Sequence, residues 1–216
     1  MSKDSEVLDI VVLAYEGVDE LDLFGAWSVL KKAEETTPPL SLSGVRVRLA
    51  GPQGNVSASG GTSFAVPFGL DVLAGASAIV VPGGKGARQA AIDQAIRRAL
   101  TDAIDRGARV YGVCTGALII ASTGRTSERC LAIHRNKREA LLDFPVNEVR
   151  SGLVHDGPFL TVGGDDAPSV KSVDIGLAVL HDIAPYAIAP VTTRMEIGGG
   201  RTVVTVADRP KAVAVP

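Results

Sequence analysis

Residues 8–15, Leu-Asp-Ile-Val-Val-Leu-Ala-Tyr, form an almost unbroken apolar run rich in β-branched side chains. A strand with one wet face would alternate, so this run predicts a strand covered on both faces. Leu23, Phe24, Trp27, Leu30 and Ala33 then recur at helical spacing, with Asp19 or Asp22 in place to cap the first turn and Pro38-Pro39 to end the pattern. Residues 45–50 alternate apolar and basic positions and predict a second strand, followed by a Gly/Ser-rich turn region over 51–61. Residues 78–82 predict a short buried strand that runs into Gly83-Gly84-Lys85-Gly86.

Apolar residues at 91, 92, 95, 96, 99, 100, 103 and 104 make one helical stripe across 87–106, with Arg and Asp on the other face. Residues 110–113 predict a strand and 115–122 a helix. A helix at 134–142, strands at 146–150 and 159–162, and a long helix at 167–182 continue the alternation. The expected fold is therefore α/β: a doubly wound, mostly parallel sheet flanked by helices. Residues 1–184 read as one domain. Residues 185–216 hold four prolines, the Gly198-Gly199-Gly200 turn and the apolar run at 202–206, and read as an edge hairpin, a dimer arm or a loose tail.

With 22 Lys+Arg against 24 Asp+Glu, the formal charge of −2 is too balanced for a nucleic-acid or anionic-membrane surface. The polar, acidic start, Met1 to Glu6, lacks the basic and apolar regions of a secretory signal, and no apolar run is long enough to span a bilayer. A cytoplasmic location is expected. Two cysteines, Cys114 and Cys130, are too few for a disulfide framework and lack the clustered spacing of a zinc site, so no metal is expected.

The sharpest chemical signal is Gly112-Val113-Cys114-Thr115-Gly116 at a strand-to-helix junction. Such a turn lifts one side chain above the sheet in a strained conformation, and the first turn of a helix favours a thiolate there. On this reasoning Cys114 is a nucleophile more acidic than a free cysteine; otherwise it is a small buried apolar residue. Gly83 and Gly84 follow another strand and could present backbone N–H groups to developing negative charge, or simply make a tight turn. The carboxylates after the first strand, Asp19, Glu20 and Asp22, stand at the same end of the sheet. One could share a proton with the thiol, or all could serve the helix start. His155 and His181 read as structural, and Trp27 as core. His134 alone among the histidines has a case for lying near the site.

Together these residues resemble the ThiJ/PfpI superfamily, cofactorless proteins related to class I glutamine amidotransferases, over about residues 7–184. The resemblance is to the branch containing isocyanide hydratases and the amino-terminal domains of AraC-type regulators. Leu-Asp-Leu-Phe-Gly25 is similar to that branch's L-D-L-x-G-P, Val81-Pro82-Gly83-Gly84 to its V-P-G-G, and Val113-Cys114-Thr115-Gly116 to its V-C-T-G. Cys130 to His134 resembles R-A-T-T-H-W, and Val173 to Ala178 resembles G-I-D-L-A-L. The chain departs from the branch at Ala26, at Arg125-Thr126, at Arg135 and in the acidic stretch Gly163 to Pro168.

The resemblance implies a flavodoxin-like three-layer sandwich with no cofactor. It implies Cys114 as nucleophile, Asp22 as the carboxylate holding a proton beside it, and Thr115 with Gly84 lining the pocket. It also implies a homodimer and a small electrophile as substrate, an isocyanide by nearest precedent. Glyoxalase-type chemistry on an α-oxoaldehyde, and a stand-alone ligand or redox sensor, are the alternatives. DNA binding of the AraC type is not expected, because the stretch after residue 184 is shorter than the usual two-motif reader.

Overall fold

β1 (Leu8–Leu13) lies inside the sheet, with Ile10 to Leu13 fully buried. Its one acidic residue, Asp9, is buried but sits beside β2 (Val45–Ala50), whose Arg46 and Arg48 both pair with it. The alternating basic positions of β2 thus neutralise a charge that would otherwise be costly to bury. The computed structural model describes residues 7–36, 44–168 and 170–197, together with the backbone of a short strand at 205–206.

The main sheet has seven strands. β5 (Ala78–Val81) pairs parallel with β1, β6 (Arg109–Val113) with β5, and β10 (Phe159–Gly163) with β6. β9 (Gly152–Asp156) joins β10 antiparallel, and β11 (Thr205–Val206) pairs parallel with the outer edge of β9. The order is β2-β1-β5-β6-β10-β9-β11. Chain order reverses between β1 and β5, and an α/β sheet opens a crevice at such a point, beyond the carboxyl ends of its strands. Helix α1 (Glu20–Thr36) packs on α6 (Lys171–Ile183) and α7 (Ile188–Met195) as one layer. Helix α2 (Ala87–Ile92) packs on α4 (Gly116–Ala121) in the other.

The α/β fold with its flanked, mostly parallel sheet is as the sequence predicts. Several elements differ. The stripe over 87–106 is two helices, because Asp93 leaves the helical conformation and caps α3 (Gln94–Asp105) by accepting from the N–H groups of Ala95 and Ile96. The turn region 51–61 contains β3 (Asn55–Ser57), which forms a hairpin with β4 (Ser63–Ala65). Cys130 belongs to β7 (Cys130–Ala132), paired with β8 (Glu148–Arg150), a strand pair that the local pattern does not reveal. His155 lies within β9, and the ring of His181 on α6 is exposed. The helix expected over 134–142 is a 3₁₀ turn at 135–137 followed by α5 (Arg138–Leu141).

Of the stretch 185–216, residues 185–197 form a 3₁₀ turn and α7 rather than a hairpin, arm or loose tail. Ala187 and Val191 are buried in the main core, and Arg194 pairs with Glu35 of α1. Residues 198–204 and 207–216 lie outside the described residues. Among the described residues no helix is long and apolar enough to cross a membrane.

Candidate active site

Three turns meet beyond β1, β5 and β6, and backbone hydrogen bonds sew the first two together. Asp19 N–H donates to Gly83 O at 2.8 Å, and Gly86 N–H to Gly17 O at 3.0 Å. Gly84 has φ +144°, and a Cβ there would stand 2.3 Å from Gly17 O. Only glycine fits both that conformation and that approach. Tyr15, buried at the end of β1, donates its hydroxyl to Pro82 O at 2.8 Å and holds the second turn from below.

The third turn carries Cys114 at φ +56°, a left-handed conformation that costs a non-glycine residue about 1 kcal/mol or more. The core fixes that cost in place. Cys114 N–H donates to Val162 O at 2.9 Å, while Thr115 and the helix after it are buried. The outcome is a half-buried thiol raised above the sheet.

The carboxylates divide their work. Asp19 caps α1, its Oδ1 accepting from the N–H groups of Leu21 at 3.0 Å and Asp22 at 3.1 Å. Glu20 accepts from the N–H groups of Gly60 and Thr62 and ties the helix start to the β3–β4 hairpin. Asp22 is left for the site. It is buried, accepts from Gly83 N–H at 3.2 Å, and its charge and that of the Cys114 thiol act on one another.

Burial and the charge of Asp19 push the Asp22 carboxyl up to about 6, against the pull of Lys171, the Gly83 N–H and the Cys114 thiol. Burial and the Asp22 charge push the Cys114 thiol up to about 11, while Lys171 and the Thr115 N–H pull the other way. The expectation of an unusually acidic thiol is therefore corrected. Desolvation and a neighbouring carboxylate outweigh the short helix behind the turn. Between about pH 6 and 11 the pair holds one proton, resting on sulfur.

The two glycines also act differently from the expected donors. Gly83 N–H is spent on Asp22, and Gly84 N–H donates to Thr115 Oγ1 at 2.9 Å, with Thr115 Oγ1 returning a hydrogen bond to Gly84 O at 3.1 Å. They set the site's shape rather than offering free N–H groups. Thr115 contributes the backbone N–H that faces the sulfur.

His134 is placed near, not in, the pair. Its Nδ1 accepts from Asn136 N–H at 3.1 Å as a turn cap, and burial with the charges of Lys171, Arg135 and Lys137 lowers its pKa. Lys171 at the start of α6 carries no motif in the sequence, yet its charge acts on Asp22, Cys114 and His134 alike. Cys130 has partners of its own, Asn147 and Glu148, away from this site. The departures at Arg125 and Arg135 are ion pairs: Arg125 is bidentate to Asp105, and Arg135 reaches Asp165 of the acidic stretch at 3.1 Å. Among the described residues no group of three or more His, Cys, Asp or Glu side chains is arranged to hold a metal ion.

The sequence pattern of the DJ-1/PfpI family matches residues 9–170. A search of the curated proteins returned no match. Among solved structures, Drosophila melanogaster DJ-1beta superposes with a TM-score of 0.74 at 18% identity, over 89% of this chain and 99% of that one. A ThiJ/PfpI family protein from Pseudomonas syringae gives 0.71 at 22% identity, over 88% and 74%. Schizosaccharomyces pombe DJ-1 gives 0.70 at 15% identity, over 88% and 100%. At these identities the likeness concerns the fold.

Proposed function

Because the chain belongs to the DJ-1/PfpI family, we propose that it is a cysteine-dependent hydratase of a small electrophilic carbon, with an isocyanide as the nearest candidate substrate. The observation that carries this reading is the buried Asp22 carboxylate, fixed by the Gly83 N–H and coupled to the thiol of Cys114, itself held at φ +56°. A family that includes both enzymes and non-catalytic members is compatible with either role. The pair favours turnover. A thiol pushed up to about 11 is a poor oxidation target at neutral pH, whereas a carboxylate beside it can take its proton when a substrate arrives.

On an isocyanide the chemistry closes without a cofactor. Cys114 Sγ bonds to the terminal carbon as its proton passes to Asp22, and Asp22 delivers that proton to the same carbon, giving a thioimidate. Water then bonds to this carbon, one of its protons reaching nitrogen through Asp22. Collapse of the tetrahedral adduct breaks the C–S bond, returns the remaining hydroxyl proton to sulfur and releases the N-substituted formamide. The Thr115 N–H steadies the sulfur while it carries charge.

Incubation with an alkyl isocyanide should yield the formamide, with turnover lost in Cys114→Ser. Retention of the rate by that variant would overturn the mechanism. A parallel assay with methylglyoxal distinguishes hydration of an isocyanide from the α-oxoaldehyde chemistry that the same pair could perform.

A further inference from the structure

A cavity of about 300 Å³ adjoins the thiol turn and shares Thr115 and Gly84 with it. Its apolar wall is Ala87 and Leu118, both buried. Its remaining lining is cationic: Lys85 and Arg88 from the turn after β5 and the start of α2, and Lys137 from the 3₁₀ turn after β7. No acidic side chain lines it.

Two separate chain segments bring these three charges to one hollow, in a protein whose overall charge is −2. Among the described residues Arg88 and Lys137 have no ion-pair or side-chain hydrogen-bond partner. The Lys85 ammonium donates only to a carbonyl, Ser59 O, at 3.3 Å. Elsewhere on the surface arginines are commonly matched: Arg125 with Asp105, Arg129 with Asp156, Arg135 with Asp165, Arg150 with Glu148. Unmatched cations converging on a small apolar-walled pocket are what a ligand oxyanion requires.

We propose that the substrate attacked by Cys114 carries an oxyanion, a carboxylate or phosphate, seated among Lys85, Arg88 and Lys137 with its apolar body against Ala87 and Leu118. The proposal rests on Cys114 being the nucleophile.

Iodoacetate and iodoacetamide form a matched pair of probes, one anionic and one neutral, that transfer the same reacting carbon to sulfur with loss of iodide. The readout is the ratio of their alkylation rates at Cys114, divided by the same ratio for a free thiol such as N-acetylcysteine. Working with a ratio cancels any general change in thiol reactivity. The expected value is at least about threefold above the free thiol at low salt, falling toward it as ionic strength rises. It should also fall in Arg88→Gln and in Lys137→Gln. Inorganic phosphate and acetate, compared at equal ionic strength, should each slow iodoacetate more than iodoacetamide, the stronger competitor identifying the headgroup. A ratio equal to that of the free thiol, or one unmoved by both variants, overturns the proposal while leaving the thiol mechanism intact. Failure of both reagents to modify Cys114 overturns the mechanism and the proposal together.

Discussion

The amide of Gly83 donates to Asp22 Oδ2 at 3.2 Å, and a Cβ placed on Gly83 would stand 2.7 Å from that same oxygen. The turn after β5 therefore both orients the carboxylate and leaves no room beside it. Gly83→Ala should displace Asp22 and Thr115 and lower stability by about 1–3 kcal/mol. Its cost in kcat/KM should exceed what the fall in stability implies. Denaturation and steady-state rates check this, and an unchanged rate would show that the carboxylate's position does not matter.

Removing the Asp22 charge should move reactivity and turnover in opposite directions. In Asp22→Asn the thiol loses the neighbour that raises its pKa, so iodoacetamide should modify Cys114 faster at pH 8 than in the parent. Turnover should fall by about 10²–10⁴-fold, because no group remains to carry the proton. A variant that gains in both would mean that Asp22 only restrains the thiol.

The pH profile follows from the same pair. With Asp22 as proton acceptor and the thiol as donor, kcat/KM should rise through about pH 6 and hold until the thiol ionises near 11. Lys171→Met removes the cation that holds Asp22 down and should shift the rising limb above 6. A rising limb near the pKa of an ordinary thiol in the parent protein would contradict this proton placement.

Stability should depend on pH in the sense opposite to that of a salt-bridged aspartate. The folded-state pKa of Asp22 is raised from 3.8 to about 6, so its favourable contribution is complete below the unfolded value and lost as pH rises through about 6. The loss amounts to about 3 kcal/mol, at roughly 1.4 kcal/mol per pH unit. Asp22→Asn should accordingly raise Tm at pH 7 but not at pH 3.5, which thermal denaturation at the two pH values tests.

Tyr15→Phe should cost about 1–3 kcal/mol, since Pro82 O loses the hydroxyl it accepts from inside the core. A fall in kcat without a matching rise in KM would show that this hydroxyl positions the Gly83-Gly84 turn.

Much of this was legible in the sequence because it rests on local pattern. The runs at 8–15, 78–82 and 110–113 announce buried strands, and the glycines around Cys114 announce its turn. What escaped depends on tertiary partners. β7 is three residues long and β9 begins with glycine and ends in His155-Asp156, so neither carries enough period to be seen. The stripe across 87–106 hides the break at Asp93, whose capping oxygen interrupts the backbone without interrupting the apolar face. Gly83 and Gly84 looked like free donors because their acceptors, Asp22 and Thr115, are 61 and 31 residues away. A motif shows a helix start but not the burial and charge around it, so the local sequence overstates the acidity of Cys114. Lys171 stands 57 residues after the cysteine, in a segment with no motif to mark it.

Asp19 anchors the start of α1 and Asp22 meets the thiol three positions later, so the helical phase between them is fixed. Each residue turns the helix by about 100°. Deleting Glu20 or Leu21 would swing Asp22 away from the sulfur and bring Leu23, built for the core, into its place. Leu21 is 61% exposed and free to vary in kind. Its presence is nonetheless compulsory: at this spot the protein tolerates substitution but not a change of length.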